Sequence, residues 1–93
     1  MKRFFIESPH SAADCLRVLK DFLAAGYLAH FEWGCKAKVH SGWALVDAED
    51  ETQARLMVPT LIRDKARVVE LTSFTREKLE EEEKIHREKM AGR

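Results

Sequence analysis

Phe31-Glu32-Trp33-Gly34-Cys35, followed by His40-Ser41-Gly42-Trp43-Ala44-Leu45-Val46, is the stretch on which the fold turns. It holds both tryptophans, one of the two cysteines and one of the four histidines. The pattern predicts strands over 28–36 and 42–48, joined by the polar turn Lys36 to Ser41. Along the first, Ala29, Phe31, Trp33 and Cys35 share one face and His30, Glu32 and Gly34 the other. Along the second, Trp43 and Leu45 oppose Gly42, Ala44 and Val46. The small set lets helices approach closely, which leaves Trp43 on the far face; a slip of one residue reverses this.

Outward from the hairpin, residues 2–8 form a β-branched and aromatic run stopped by Pro9, the first strand. Ser11, with Asp14 three residues later, has the capping-box arrangement of a helix start. Ala12, Cys15, Leu16, Leu19, Phe22 and Leu23 then follow one buried helical stripe, and Gly26 ends it. Asp50 with Gln53 opens a second helix over 51–58, where Ala54, Met57, Val58 and Leu61 make the stripe. Pro59 predicts a kink or short extra turn over 59–63. Arg67 to Ser73 reads as the fourth strand, with Val69 and Leu71 on one face and Val68, Glu70 and Thr72 on the other. Thr75 caps a charged last helix to about Met90, with Glu80/Lys84 and Glu83/Arg87 at the favourable i, i+4 spacing. Its only contact stripe is Leu79, Glu83, His86 and Met90.

The fold class is therefore α+β. The order β-α-β-β-α-β with a four-stranded antiparallel sheet is the ferredoxin-like arrangement over residues 1–74, and the charged C-terminal helix occupies 75–93. Two helices cover one sheet face and leave the other open. An open face bearing Phe5, Val68 and Trp43 is too apolar for water, and packing two such faces together makes a homodimer.

Over residues 2–74 the chain resembles the dimeric α/β-barrel group of small ferredoxin-like proteins, which includes muconolactone isomerase-like and antibiotic-biosynthesis monooxygenase-like members. The resemblance rests on element order, size and the segment Gly42-Trp43-Ala44-Leu45-Val46-Asp47-Ala48-Glu49-Asp50-Glu51, where a strand runs into an acidic helix start. It implies a fold and a dimer, and transfers no active residue.

Composition narrows the function. The 93 residues make one domain, with 16 basic residues balancing 16 acidic ones. That balance lacks the basic footprint of phosphate-backbone binding, so nucleic acid is not expected. The four glycines are isolated at 26, 34, 42 and 92, so there is no Gly-rich phosphate loop. No apolar run approaches the ~20 residues of a membrane span. Glu7 interrupts the signal-like Met1-Lys2-Arg3-Phe4-Phe5-Ile6, and two free thiols fit the cytoplasm.

Glu7 and Glu70 are carboxylates inside apolar strands, and neighbouring first and fourth strands would bring them together on the open face. Close carboxylates cannot both ionise cheaply, and a carboxyl tuned this way suits proton transfer. Pairing with Arg3, Arg67 or a partner subunit is the structural alternative. His30 and Glu32 lie side by side on one strand face, either as an oriented base or as solvated edge residues. His40 sits in the hairpin turn and His10 in the loop before Ser11. Cys15 reads as a buried core thiol, and Cys35 has no base placed beside it. A metal held by Cys35, His40 and another ligand is opposed by the lack of any Cys-x-x-Cys pair or zinc-type histidine spacing, so no metal or cofactor is expected. Trp33 reads as packing; for Trp43, packing and stacking on a planar ligand both stay open.

The sequence thus points to a small homodimer that binds a small, mostly apolar molecule on the open sheet face, lined by Phe5, Glu7, Trp43, Glu70 and Thr72. Two alternatives remain. One is a cofactor-independent isomerase or lyase with Glu7 or Glu70 as base and His40 or His30 as donor. The other is a protein-interaction module without a pocket.

Overall fold

The computed structural model describes residues 1–91, with side-chain surroundings through residue 88. Four strands, β1 (Lys2–Pro9), β2 (Glu32–Trp33), β3 (Ser41–Ala48) and β4 (Arg67–Leu71), form one antiparallel sheet in the order β2-β3-β1-β4. Three helices, α1 (Cys15–Ala25), α2 (Glu51–Arg55) and α3 (Arg76–Ala91), follow β1, β3 and β4 respectively.

Strand alternation sets the core. Phe4, Ile6 and Ser8 of β1 and Gly42, Ala44, Val46 and Ala48 of β3 are buried under the helices. Val18 and Phe22 of α1, Ala54 of α2, and Val58 and Ala66 close over them. Small β3 residues let the helices sit close to the sheet, and Trp43 faces away from them, as its alternation predicts.

Five local expectations need correction. The helix after β1 begins at Cys15, because Ser11 and Asp14 close a separate turn. The Ser11 hydroxyl donates to Asp14 Oδ2 at 2.9 Å and accepts the Asp14 N–H at 3.2 Å. The stripe of α1 is also rotated: Val18 and Phe22 are buried, whereas Leu16 and Leu23 are exposed. The expected strand 28–36 shrinks to Glu32–Trp33, flanked by 3-10 turns at Leu28–His30 and Cys35–Ala37. There the Trp33 indole N–H donates to the Leu28 carbonyl at 3.2 Å, which holds the chain in a turn.

The second helix stops at Arg55, because the N–H groups of Met57 and Val58 take i−3 carbonyls and tighten the last turn before Pro59. A 3-10 segment, Thr60–Lys65, follows and is tied down by Arg55, whose Nη1 donates to the Arg63 and Ala66 carbonyls. Finally, the register Ile6↔Val68 and Phe4↔Glu70 places Val68 and Glu70 on the helix side of β4. Val69 and Leu71 face the open side, and Thr72 lies beyond the strand.

The described residues of α3 are exposed, and the molecule measures 52 × 26 × 23 Å. Its radius of gyration of 17.4 Å exceeds the roughly 12 Å of a compact chain of this length, as a projecting helix requires. Thr75 Oγ1 accepts the Lys78 N–H at the start of this helix, and Glu83 pairs with Arg87 at 3.0 Å. Met90, expected at the end of its contact stripe, lies outside the residues whose side chains are described. Among the described residues no helix is long and apolar enough to cross a membrane.

Beside the short β2, two indoles pack on two glycines. A Cβ on Gly42 would lie 2.6 Å from the Trp33 ring, and one on Gly34 would lie 2.8 Å from the Trp43 ring and 2.7 Å from the Val39 carbonyl oxygen. Trp33 lies on the core side, edge-on to Phe22 at 4.8 Å, while Trp43 lies on the open side. Gly42→Ala should therefore destabilise the fold by about 1–3 kcal/mol through overpacking, read as a lower urea midpoint. An unchanged midpoint would show that the Trp33 ring is free to move aside.

Candidate metal centre

Four side chains converge where β1, α1, β2 and β3 meet at one end of the sheet. His10 follows the last residue of β1, and Cys15 is the first residue of α1. Cys35 opens the 3-10 turn after β2, and His40 immediately precedes β3. One ligating atom from each of the four lies within 4.8 Å of the others. Backbone pairing produces this convergence. The β1/β3 ladder runs to Pro9↔Ser41, and the His10 N–H then donates to the His40 carbonyl at 3.0 Å. The two imidazoles consequently lie edge to face, with centroids 5.5 Å apart. On the other strand, the Gly34 N–H donates to the Ser41 carbonyl at 3.1 Å and brings Cys35 alongside.

The Cys35–His10 spacing matches two ligands of a tetrahedral ion. A sulfur and a nitrogen bound to one zinc at about 2.3 and 2.0–2.1 Å stand roughly 3.5 Å apart. Cys35 Sγ and His10 Nε2 are 3.5 Å apart. All four residues are half-buried, and Nδ1 of both His10 and His40 is buried without a hydrogen-bond partner. Leaving such a nitrogen unpaired costs about 1–3 kcal/mol; His10 presents Nε2 to Cys35, so coordination through that atom leaves its Nδ1 unpaired. Burial and then the neighbouring His40 hold His10 below the ordinary histidine range, against an opposing pull from Asp14. The neutral imidazole so favoured is the ligating form. Burial and then the adjacent Cys15 thiol push the Cys35 thiol up, so coordination there displaces a proton.

Of this quartet the sequence offers only His40 as a catalytic candidate, and its cysteine and histidine spacing speaks against a metal. The missed signal is a mirror-image pair, His10-x4-Cys15 and Cys35-x4-His40. Neither half is diagnostic, because the two pairs meet only through the β1/β3 register. Cys15, expected in the core, is instead half-buried beside Cys35 because α1 starts late and rotated.

The other candidates divide between the two sheet faces. Phe5, His30 and Trp43 line one shallow depression of about 330 Å³ on the open face, together with Glu32, Ala44 and Leu45. Glu7 also faces this side; it accepts the Trp43 indole N–H at 3.0 Å and pairs with Arg67 Nε at 3.5 Å. Glu70 lies on the opposite face, 3.8 Å from Lys2 Nζ, so the expected pair of close carboxylates does not form. The cause is the β4 register, which also leaves Thr72 off the strand and away from Phe5 and Trp43.

No protein-family model, curated protein or solved structure matches this chain.

The Glu7–Arg67 contact is solvent-facing, with the arginine side chain two-thirds exposed (67%), and exposed pairs contribute only ~0–1 kcal/mol. Glu7→Gln, which keeps an acceptor for Trp43, should accordingly shift the urea midpoint by less than about 1 kcal/mol equivalent. A larger loss would mean that the carboxylate charge holds the β1/β4 edge together.

Proposed function

We propose that this chain is a small metal-binding domain of ferredoxin-like architecture in which His10, Cys15, Cys35 and His40 hold one zinc ion. The architectural part is supported by the strand order β2-β3-β1-β4 with α1 and α2 following β1 and β3. The functional part is carried by one observation, the four ligating atoms within 4.8 Å of one another. Two thiolates and two imidazoles are a zinc-type donor set, too soft for magnesium or calcium; copper(I) is the competing occupant. With all four tetrahedral positions filled by the protein, the site is closed and acts structurally. The ion joins the end of β1, the start of α1 and the irregular segment on either side of β2, which has only two strand residues of its own.

Native mass spectrometry of chain reconstituted with zinc should show one ion per chain. Zinc should also raise the melting temperature, since an ion at 100 times its dissociation constant adds about 2.7 kcal/mol to a folded state that alone binds it. Cys35→Ser and His10→Ala should each abolish the retained mass and the thermal shift. Binding that survives both substitutions would place the ion elsewhere and overturn the assignment.

A second reading concerns the open face. Leu45 is 57% exposed there, and Val69 and Leu71 are exposed beside half-buried Phe5 and Trp43. Arg3, Arg67, Glu7 and Asp47 stand among them with both signs of charge, which suits a two-fold contact with a second copy. In this reading the face makes a homodimer, and the depression at Phe5, His30 and Trp43 becomes a pocket for a small apolar molecule. Leu45→Glu should halve the mass measured by sedimentation equilibrium while leaving the far-UV spectrum unchanged. A monomeric wild-type chain would remove this reading and leave the metal centre untouched.

A further inference from the structure

We infer that Cys15 and Cys35 form a peroxide-sensitive dithiol whose oxidation to an internal disulfide expels the ion; the expulsion rests on the metal-binding reading above, whereas the dithiol does not. They are the chain's only cysteines, both free and half-buried. Their sulfurs lie within 4.8 Å of each other, so reaching the roughly 2.05 Å of a disulfide requires a closure of under about 3 Å. The backbone at both residues can supply that movement. Cys15 stands at the first position of α1 behind the Ser11–Asp14 turn, and Cys35 follows Gly34 in a stretch of single 3-10 turns. Both residues are half-buried rather than sealed in the core, which puts the pair within reach of a small oxidant.

The chemistry closes with hydrogen peroxide as oxidant. One cysteine sulfur attacks a peroxide oxygen, the O–O bond breaks, and a sulfenic acid forms; the departing hydroxide takes a proton, from the thiol in the metal-free chain or from solvent where zinc has displaced it, and leaves as water. The second sulfur then attacks the first, the S–O bond breaks and the S–S bond forms; the hydroxide released takes its proton from the same source and leaves as a second water. The two sulfurs lose two electrons in total and the peroxide gains them. Zinc keeps its charge and its oxidation state, but two of its four donors are consumed. His10 and His40 alone leave half of the coordination shell unfilled by the protein.

The test treats zinc-loaded wild-type chain with one equivalent of hydrogen peroxide in the presence of a colorimetric zinc chelator, alongside chain never exposed to metal. The expected result is release of one zinc per chain, a mass loss of two hydrogens, and a Cys15–Cys35 cross-link in the peptide map. Dithiothreitol should then restore zinc binding. Thiols that stay unmodified, or that gain oxygen without cross-linking, overturn the dithiol; a cross-link formed with zinc retained overturns the expulsion. If zinc never loads but peroxide still joins the two sulfurs, the metal-binding reading falls and the dithiol stands. If zinc loads normally and no cross-link forms, the reverse holds.

Discussion

A single backbone hydrogen bond, from the His10 N–H to the His40 carbonyl at 3.0 Å, sets the end of the sheet at which His10, Cys15, Cys35 and His40 meet. It extends the β1/β3 ladder one residue beyond the pairing of Pro9 with Ser41 and fixes two histidines side by side. Pro9 cannot donate to a ladder, so His10 is the first residue past the strand that can make this bond. The turn closed by Ser11 and Asp14 then returns the chain so that Cys15 arrives at the same place. Four side chains from four element boundaries meet because the β1/β3 register and the Ser11–Asp14 turn bring them to one place.

The same end of the sheet is where local structure is weakest. Between Gly26 and Ser41 the chain makes two 3-10 turns and a two-residue strand, with a left-handed residue at Lys38. Its stability comes from packing: Phe31 is buried, Trp33 lies edge-on to Phe22, and the two indoles sit against Gly42 and Gly34. A four-coordinate ion would add a covalent-strength tie to this segment at Cys35 and His40. The extended α3 and the apolar open face add exposed surface without strengthening this end.

The element order was legible because it rests on short-range patterns. Alternation in β1 and β3, the Asp50–Gln53 cap and the left-handed Gly26 each depend on near neighbours in the chain. The site was less legible for the opposite reason. His10 and His40 are 30 positions apart, and nothing local marks them as partners until the register is known. Glu7 and Glu70 illustrate the same limit. Alternation within β4 correctly separated Val69 and Leu71 from Val68 and Glu70, but which set faces the helices depends on pairing with β1. One residue of register moved Glu70 to the opposite face and dissolved the carboxylate pair. The rotation of α1 had a further cause, since Val18 and Leu16 are equally apolar and only the packing partners decide which is buried.

The proposed metal centre is defined by the ligand shell around a bound zinc. X-ray absorption at the zinc edge of the reconstituted chain measures that shell directly. The predicted shell is two sulfurs at about 2.3 Å and two imidazole nitrogens at about 2.0–2.1 Å. A shell of nitrogen and oxygen alone, with no sulfur scattering, would contradict it and show that Cys15 and Cys35 are neighbours without being ligands.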